Sequence, residues 1–505
     1  MAFFNETGYN PPGVYDREVT PTIITTKPSY KQPLCIVGEV NGNITFSEVV
    51  VAPQANFPDA LGNVDYQYFT PLTQTNIIIS TIQVSKYGSN KVSDIYVKGT
   101  HYNVIPHPDT INHPNEYVLV VLYEQGDTGY VAKIPAGTPL QVSYQYIPAD
   151  FYEPKEFTSI YDIEAFYGPA YNSDGSINNP LALAARIANK NGLYRLLLKA
   201  VDPNGAGDDG VVNLADWIKA IMDLESYNFS YLVVLNGSAQ LDSILLDLKN
   251  RFYAQNKWVQ FFVGNDITYT KSYSELDPLI AQRRYWDTYY PTDYDAVQQR
   301  ALNLKDQNFC LLSEALVPLW NDYLRREIYV PSYYMAVAIA SWKSVRSPAI
   351  PLTRKYINGF YAKALPRLSE NLKNQLTQAG LLVVENYYDG VRIRHGVTTD
   401  TTNVYTKEQS IVNAKAYMLE RLYQALDGYI GQPINAYTID SLRYAVTSTL
   451  NNLKSTSIIY DYRGLSVKID EKDSTMVIVK FEYRPTYPLN YIVIEFAVNL
   501  TPIQI

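Results

Sequence analysis

The sequence predicts an α/β core, with a mostly parallel sheet and helices on both faces. An inserted all-β domain interrupts it, and an α+β C-terminal domain with strand-like terminal arms follows. Three observations predict this. Between residues 159 and 264 short continuous apolar runs alternate with helical segments, as in sheets covered on both faces. Between 47 and 155 helical periodicity is lost and short alternating segments succeed one another at turn signals, the pattern of a sandwich or small barrel. Beyond residue 331 amphipathic helices precede two alternating runs that read as a hairpin.

The chain opens on an arm, residues 1–27. PPGVYDREV (11–19) carries two prolines and a glycine, and the β-branched run Thr22–Thr26 follows. Val14, Tyr15, Val19, Ile23 and Ile24 are its apolar positions. The stretch is too short to fold alone and too apolar for a disordered tail. The core is expected over 28–46 and 156–330. It starts with PLCIVGEV (33–40), a buried strand ending near Asn41-Gly42. The insert, 47–155, contains NIIISTIQV (76–84), SDIYVKG (93–99), EYVLVVLY (116–123) and LQVSYQYI (140–147). Turns are expected at Tyr87-Gly88, Lys98-Gly99, Gly126-Asp127 and Ala136-Gly137.

The α/β pattern then resumes. SIYDIEAFYG (159–168) reads as a helix with a glycine stop, and LALAARIANKNG (181–192) as one ended by Asn191-Gly192. LYRLLLKAV (193–201), YLVVLNG (231–237) and WVQFFVG (258–264) read as buried strands. Helices fall between them at 214–225, with Asn213 as cap, and at 239–255, with Leu241, Ile244, Leu245, Leu248 and Phe252 on one stripe. In the C-terminal domain, 331–485, SYYMAVAIASW (332–342) is a buried helix. Thr406-Lys-Glu-Gln409 is a capping box opening a helix to Leu426, with Ile411, Ala414, Met418, Leu422 and Ala425 on one face. Thr438 starts another, with Ile439, Leu442, Val446, Leu450 and Leu453 in line. GLSVKID (464–470) and MVIVKFEY (476–483) form the hairpin. A second arm, 486–505, ends the chain with NYIVIEFAVNL (490–500).

Composition narrows the function. The net charge of −8 argues against nucleic acid as the main partner. MAFFNETGYN lacks the layout of a signal peptide, and no apolar run is long enough to span a membrane. Cys35 and Cys310 sit in apolar surroundings and read as buried thiols in a reducing compartment. The 46 tyrosines against 16 phenylalanines suit surfaces half-buried between subunits; compositional drift is the plainer alternative.

Motifs of chemistry are sparse. There is no CxxC pair, HExxH, GxSxG or Walker loop. Of His101, His107, His113 and His395, two flank Asp109 in HPDTINHP; this is more simply a proline-rich loop than a metal site. Gly205, Gly207 and Gly210 match GxGxxG, but Asp202, Asp208 and Asp209 would face a pyrophosphate, and a surface loop is the better reading. Arg392 and Arg394 alternate with Val391 and Ile393 as a basic stripe or, by default, a solvated face. No catalytic residue, cofactor or metal is expected, and the chain is read as not an enzyme.

The two ends share one trait: each is a strand-like run tethered by prolines. An unpaired strand invites pairing. Either both fold back on their own domain, or each completes a sheet of another subunit. Head-to-tail contacts of the second kind build rings or helical filaments.

PGVYDREV, PLCIVGEVNG, FTSIYDIEAFYG and YTKEQSIVNAKAYMLERLYQALDGYIGQP, followed by the hairpin and PLNYIVIEFAVN, resemble in order and spacing the contractile phage tail sheath family. GTHYNVI and GTPLQVSYQYI within the insert resemble the β-domain of some members. Residues 265–330, rich in Tyr and Asp, match no part of it. The resemblance implies a structural subunit that polymerises helically in stacked rings around a tail tube protein, beneath a terminator and above a baseplate. It contracts to drive the tube through the target envelope, with no nucleic-acid partner and no membrane insertion. It implies assembly in the host cytoplasm into the virion tail. It also implies that the N-arm strand (Val14, Tyr15, Val19, Ile23, Ile24) and the C-arm strand (Tyr491, Val493, Ile494, Phe496, Val498) augment a receiving sheet in neighbouring subunits, here Leu465, Val467 and Ile469 with Val477, Val479 and Phe481. Lys407, Lys415 and Arg421, on the exposed face expected for helix 407–426, are candidates for tube contact, and an ordinary solvated face is the alternative. A non-contractile filament or adhesin subunit is the second reading, and an α/β enzyme with a β accessory domain the third.

Overall fold

In the computed structural model of the chain the described residues are 32–490, less 41–43, 59–63, 65, 90, 92–93, 128, 149, 194, 204–211, 271–290 and 389. Both arm strands, the Asn41-Gly42 turn and the GxGxxG segment therefore lie outside them. The chain divides into two compact units, one of residues 39–183 with 199–202 and one of the remainder.

The first strand, β1 (Leu34–Gly38), is buried at every position, as its uninterrupted apolar run requires. The unit of residues 39–183 follows. Its strands are β2 (Ile44–Val51), β3 (Thr70–Pro71), β4 (Ile77–Lys86), β5 (Ile95–Tyr96), β6 (Tyr102–Pro106), β7 (Tyr117–Val121), β8 (Tyr123–Gly126), β9 (Gly129–Ala132), β10 (Pro139–Tyr146) and β11 (Lys155–Phe157). They make a four-stranded sheet, β2–β10–β4–β5, a three-stranded sheet, β3–β7–β6, and the hairpin β8–β9. Alternate residues such as Val84, Leu140, Val142, Tyr102 and Leu119 fill one core. Glycines at positive φ turn the chain at Gly88, Gly99 and Gly137, where the sequence expects turns. Helix α1 (Ile160–Tyr167) starts on Ser159, whose side chain accepts from the Tyr161 N–H, and stops at Gly168.

In the other unit elements alternate as expected. They are α2 (Pro180–Lys190), β12 (Leu196–Ala200), α3 (Leu214–Met222), β13 (Tyr231–Val234), α4 (Asp242–Ala254), β14 (Gln260–Val263), α5 (Tyr294–Asn303) and β15 (Phe309–Leu312). Asn213 and Asp216 close a reciprocal capping box at α3. The hairpin β16 (Leu316–Asn321) and β17 (Arg326–Pro331) leads to α6 (Tyr333–Ser344), which is buried from Tyr334 onward. After β18 (Tyr356–Ile357) come α7 (Glu370–Gln378), β19 (Leu381–Leu382), β20 (Val384–Tyr387) and β21 (Gly390–Ile393). Within this unit the sheet runs β12–β1–β13–β14–β15–β19, and β1/β13, β13/β14, β14/β15 and β15/β19 are parallel. Helix α6 packs across β13 and β14. A side chain at Gly264 would meet the Tyr333 nitrogen at 2.3 Å, so only glycine lets β14 pass under the start of α6.

Open α/β sheets bind ligands beyond the carboxyl ends of their strands. Here the ends of β13 and β14 are bridged by a buried arginine. Arg300 donates to the carbonyls of Gly237 at 2.8 Å and Gly264 at 3.2 Å, and to Asn265 Oδ1 at 3.2 Å. Asp242 takes its other nitrogens at 2.6 and 2.9 Å. Among the described residues no helix is long and apolar enough to cross a membrane.

Two further buried ionisable groups carry a pH signature. Glu314, after β15, accepts from Tyr294 at 3.0 Å and Thr292 at 3.1 Å, and burial raises its pKa from 4.5 to about 7. The folded chain thus keeps a proton that the unfolded chain releases, so stability falls as pH climbs from 4.5 to about 7. Lys343, at the end of α6, donates to the Pro348 carbonyl at 2.9 Å, and burial lowers its pKa from 10.5 to about 7. Its contribution has the other slope: stability is recovered as pH rises from about 7 to 10.5. Urea midpoints of the full chain are expected to dip near neutral pH. Glu314→Gln is expected to flatten the acid limb and gain up to about 3 kcal/mol at pH 7 relative to pH 4.5, and Lys343→Met to flatten the alkaline limb.

Candidate assembly site

The C-terminal part of this unit begins with one isolated turn, α8 (Val404–Lys407), followed by α9 (Gln409–Leu426) and α10 (Ala436–Ser455). The capping box expected at Thr406 does not form. Asn403 instead caps α8, accepting from the Tyr405 and Thr406 N–H groups. The chain then breaks at Glu408, with φ −78 and ψ 110. The cause is a tertiary pairing. Thr398 N–H donates to the Lys407 carbonyl at 2.8 Å and Gln409 N–H to the Gly396 carbonyl at 3.1 Å, which holds Glu408 between them extended. α10 likewise starts earlier than expected, with Asn435 rather than a residue at Thr438 as its boundary; Asn435 Oδ1 accepts from the Thr438 N–H.

α9 and α10 pack through Ala414, Tyr417, Met418, Leu422, Val446, Leu450 and Leu453, the stripes the sequence shows. On this pair lies a two-stranded ribbon, β22 (Ile459–Ile469) and β23 (Val477–Pro485). Val467 opposes Val479 and Ile469 opposes Val477, so the structure brings the expected receiving residues onto one face. Leu465, Val479 and Phe481 rest on the helices, Val467 is buried, and Ile469 is exposed at the tip. Among the described residues neither strand pairs with a third, and within that set both edges offer N–H and C=O groups to a further strand. Lys468, Lys480 and Glu482 point outward.

Both ends of the described chain are fixed at the start of α9. Asn413 Nδ2 donates to the Tyr231 hydroxyl at 2.7 Å, and that hydroxyl donates to Gln32 Oε1 at 2.9 Å. Ser344 Oγ bonds the Gln32 carbonyl. Gln409 Nε2 donates to Gln260 at 2.7 Å. At the other end Asn490 Nδ2 donates to Glu408 Oε1 at 3.0 Å, the oxygen that His395 Nε2 also meets at 2.8 Å. Thr486 bonds the Ser457 carbonyl at 2.9 Å and Tyr487 meets Tyr405 at 3.3 Å. Nothing local in the sequence signals this knot: polar residues on a buried helix face look like interruptions of its stripe.

Other charged positions depart from expectation. Arg392 and Arg394 form neither a solvated face nor a free basic stripe. Both grip Glu385, Arg392 at 2.5 Å and Arg394 at 3.2 Å, with Lys373 at 3.3 Å. Burial works to raise the Glu385 pKa, but Arg392 and Lys373 outweigh it and hold the carboxyl below its ordinary value. Lys407, Lys415 and Arg421 do not share an exposed helix face. Lys407 precedes the break at Glu408. Lys415 is half-buried against Gln307 at 2.9 Å, and burial lowers its pKa. Arg421 lies over the Tyr417 ring at 4.8 Å. The His107 and His113 rings lie 4.1 Å apart, tilted by 36°, and His113 Nδ1 meets Glu116 at 3.0 Å.

No family model matches the chain. Over 436 residues it is 29% identical to the tail sheath protein of Mycobacterium phage Bxz1, a match covering 85% of this chain and 69% of that one. A chain of the 6-fold symmetrised anti-feeding prophage (AFP) baseplate superposes with a TM-score of 0.51 at 10% identity, covering 97% of this chain and 100% of that chain. A chain of the AFP baseplate in the contracted state gives 0.50 at 15% identity, covering 70% and 91%. At such identities the two structures speak for the fold.

Asn413→Ala removes the donor to Tyr231 and leaves that buried hydroxyl short of a partner. It is expected to cost about 1–3 kcal/mol in urea unfolding. It is also expected to quicken limited proteolysis on the N-terminal side of Pro33, which Lys415→Ala on the same helix does not do. Mass spectrometry of the fragments checks both.

Proposed function

We propose that this chain, similar over most of its length to a tail sheath protein, is the structural subunit of a contractile tail sheath. Copies polymerise helically around a tail tube, between a baseplate and a terminator, and re-pack into a shorter lattice that drives the tube through a target envelope. Residues 11–26 and 491–498 act as connectors, each adding a strand to the ribbon of a neighbouring copy. Assembly takes place in the host cytoplasm and the product is a virion tail.

The observation that carries this reading is the β22–β23 ribbon. It is long and packed on one face, among the described residues it pairs with no third strand, and both ends of the described chain are held at the start of the helix beneath it. Two open edges accommodate two added strands. Backbone ladders then keep subunits connected while side-chain surfaces change partners. The work of contraction comes from interface burial, at about 25 cal/mol per Å2 of apolar area repeated over many subunits. No catalytic group is needed for this.

Full-length protein concentrated in vitro is expected to form hollow cylinders in electron micrographs. Deletion of residues 1–27 is expected to leave a folded, soluble chain with the same circular dichroism and no cylinders. Small uniform particles from the full-length chain at high concentration overturn the reading.

A further inference from the structure

The unit of residues 39–183 carries two exposed surfaces that neither its fold nor the connector mechanism uses. The first is the outer face of the sheet β2–β10–β4–β5. Its register places Val49, Gln141, Ser85 and Ile95 in one row and Ser47, Ser143 and Gln83 in the next. Neither row contains a charged residue, although charged residues make up 18% of the chain. Val49 and Ile95 are each 54% exposed. Solvated sheet faces ordinarily carry charge, as the outer face of the β22–β23 ribbon does with Lys468 and Lys480, and loss of charge marks the centres of interfaces. Three polar side chains of this face already pair among themselves: the Ser47 and Ser143 hydroxyls meet at 2.9 Å and Gln141 donates to Ser47 at 3.2 Å. Covering these three strips less bound water than covering unpaired groups.

The second surface lies by the other sheet of the sandwich. Ala55 bridges to Val121 on β7, which sets Phe57 beside the β8–β9 hairpin. Phe57 stacks on Tyr130 at 6.1 Å, and Tyr123 packs edge-on to both, at 6.0 and 5.1 Å. Phe57 and Tyr130 remain 47% and 43% exposed. The rings are held in place before any partner arrives, so little side-chain freedom is lost on binding.

We propose that the uncharged sheet face of one copy packs on the Phe57–Tyr130 stack of the next, a head-to-tail contact between copies that forms only inside the polymer. Size selects this occupant. With strands about 4.8 Å apart, the face offers roughly 300 Å2, well short of the about 800 Å2 per partner that holds two free proteins together. Such a patch works only between molecules already tethered as neighbours, where effective concentration is on the order of millimolar. The two surfaces differ, as a contact that repeats along a ring or helix requires. The proposal rests on the sheath reading.

The test uses polymer of the full-length chain. The two native cysteines are buried. Gln83→Cys on the face and Gln125→Cys, opposite Tyr130 in the hairpin, therefore supply exposed thiols for a short bis-maleimide. The double variant is expected to give a ladder of cross-linked multimers in polymer and no ladder when dispersed at equal concentration. Gln141→Glu is expected to leave polymer able to form but to speed its dissociation on dilution about tenfold. Dimers from Gln83→Cys alone place the face against its own kind and overturn the head-to-tail contact. Absence of a ladder in polymer, or a Gln141→Glu polymer as durable as the original, gives the face to solvent or to another protein. A full-length chain that makes no polymer overturns the sheath reading itself, and this contact with it.

Discussion

Side-chain hydrogen bonds at the start of α9 tie this unit together. Asn413 and Gln409 face β13 and β14, where an apolar residue would pack more simply. They hold instead the Tyr231 hydroxyl and the Gln260 amide, and through Tyr231 they hold Gln32. One residue before the helix, Glu408 holds Asn490. A pull on either end of the described chain is therefore delivered to one helix turn and, through it, to the central sheet. In a polymer of the proposed kind, tension on the arms would enter this unit there. Side-chain amides suit the task better than apolar contacts because a hydrogen bond resists sliding as well as separation.

The ribbon on the far side of α9 obeys an opposite constraint. A two-stranded sheet is marginal by itself, and β22–β23 persists because Leu465, Val479, Phe481 and Tyr483 are anchored on the α9–α10 pair. Its edges are a liability in a free monomer. Outward Lys468, Lys480 and Glu482 discourage chance pairing, and the irregularity between Arg463 and Ser466 at Gly464 interrupts the flat edge. A strand tethered nearby overcomes these deterrents through high local concentration, whereas a stray strand does not.

What could be read from the sequence follows from how local each signal is. β1, β13 and β14 stand out as unbroken apolar runs, and the stripes of α9 and α10 are visible because their spacing repeats. The ribbon alternates cleanly. What escaped depends on residues far apart in the chain. The break at Glu408 comes from pairing with 396–398, so a good capping box at Thr406 was overruled. Arg392 and Arg394 read as a solvated face, or else a free stripe, because nothing local reveals that Glu385 opposes Arg392 across the hairpin. Lys415 looked solvent-facing by helical position, yet Gln307 reaches it from another element. Asn413 was invisible for a related reason: its partners, Gln32 and Tyr231, come from distant parts of the sequence.

The α/β layer itself departs from the common architecture at the carboxyl ends of its strands. A parallel sheet usually leaves a crevice at the carboxyl ends of its strands, where helix N-termini and loose loops receive a ligand. In this chain Arg300 occupies the ends of β13 and β14, saturating two loop carbonyls and the Asn265 side chain while Asp242 balances its charge. That geometry cross-links loops that an enzyme would leave free to close over a substrate. Glycine at 264 and the wholly buried α6 press the same layer into a solid block. A layer braced in this way has little room to move, which leaves the ribbon as this unit's candidate surface for recognition.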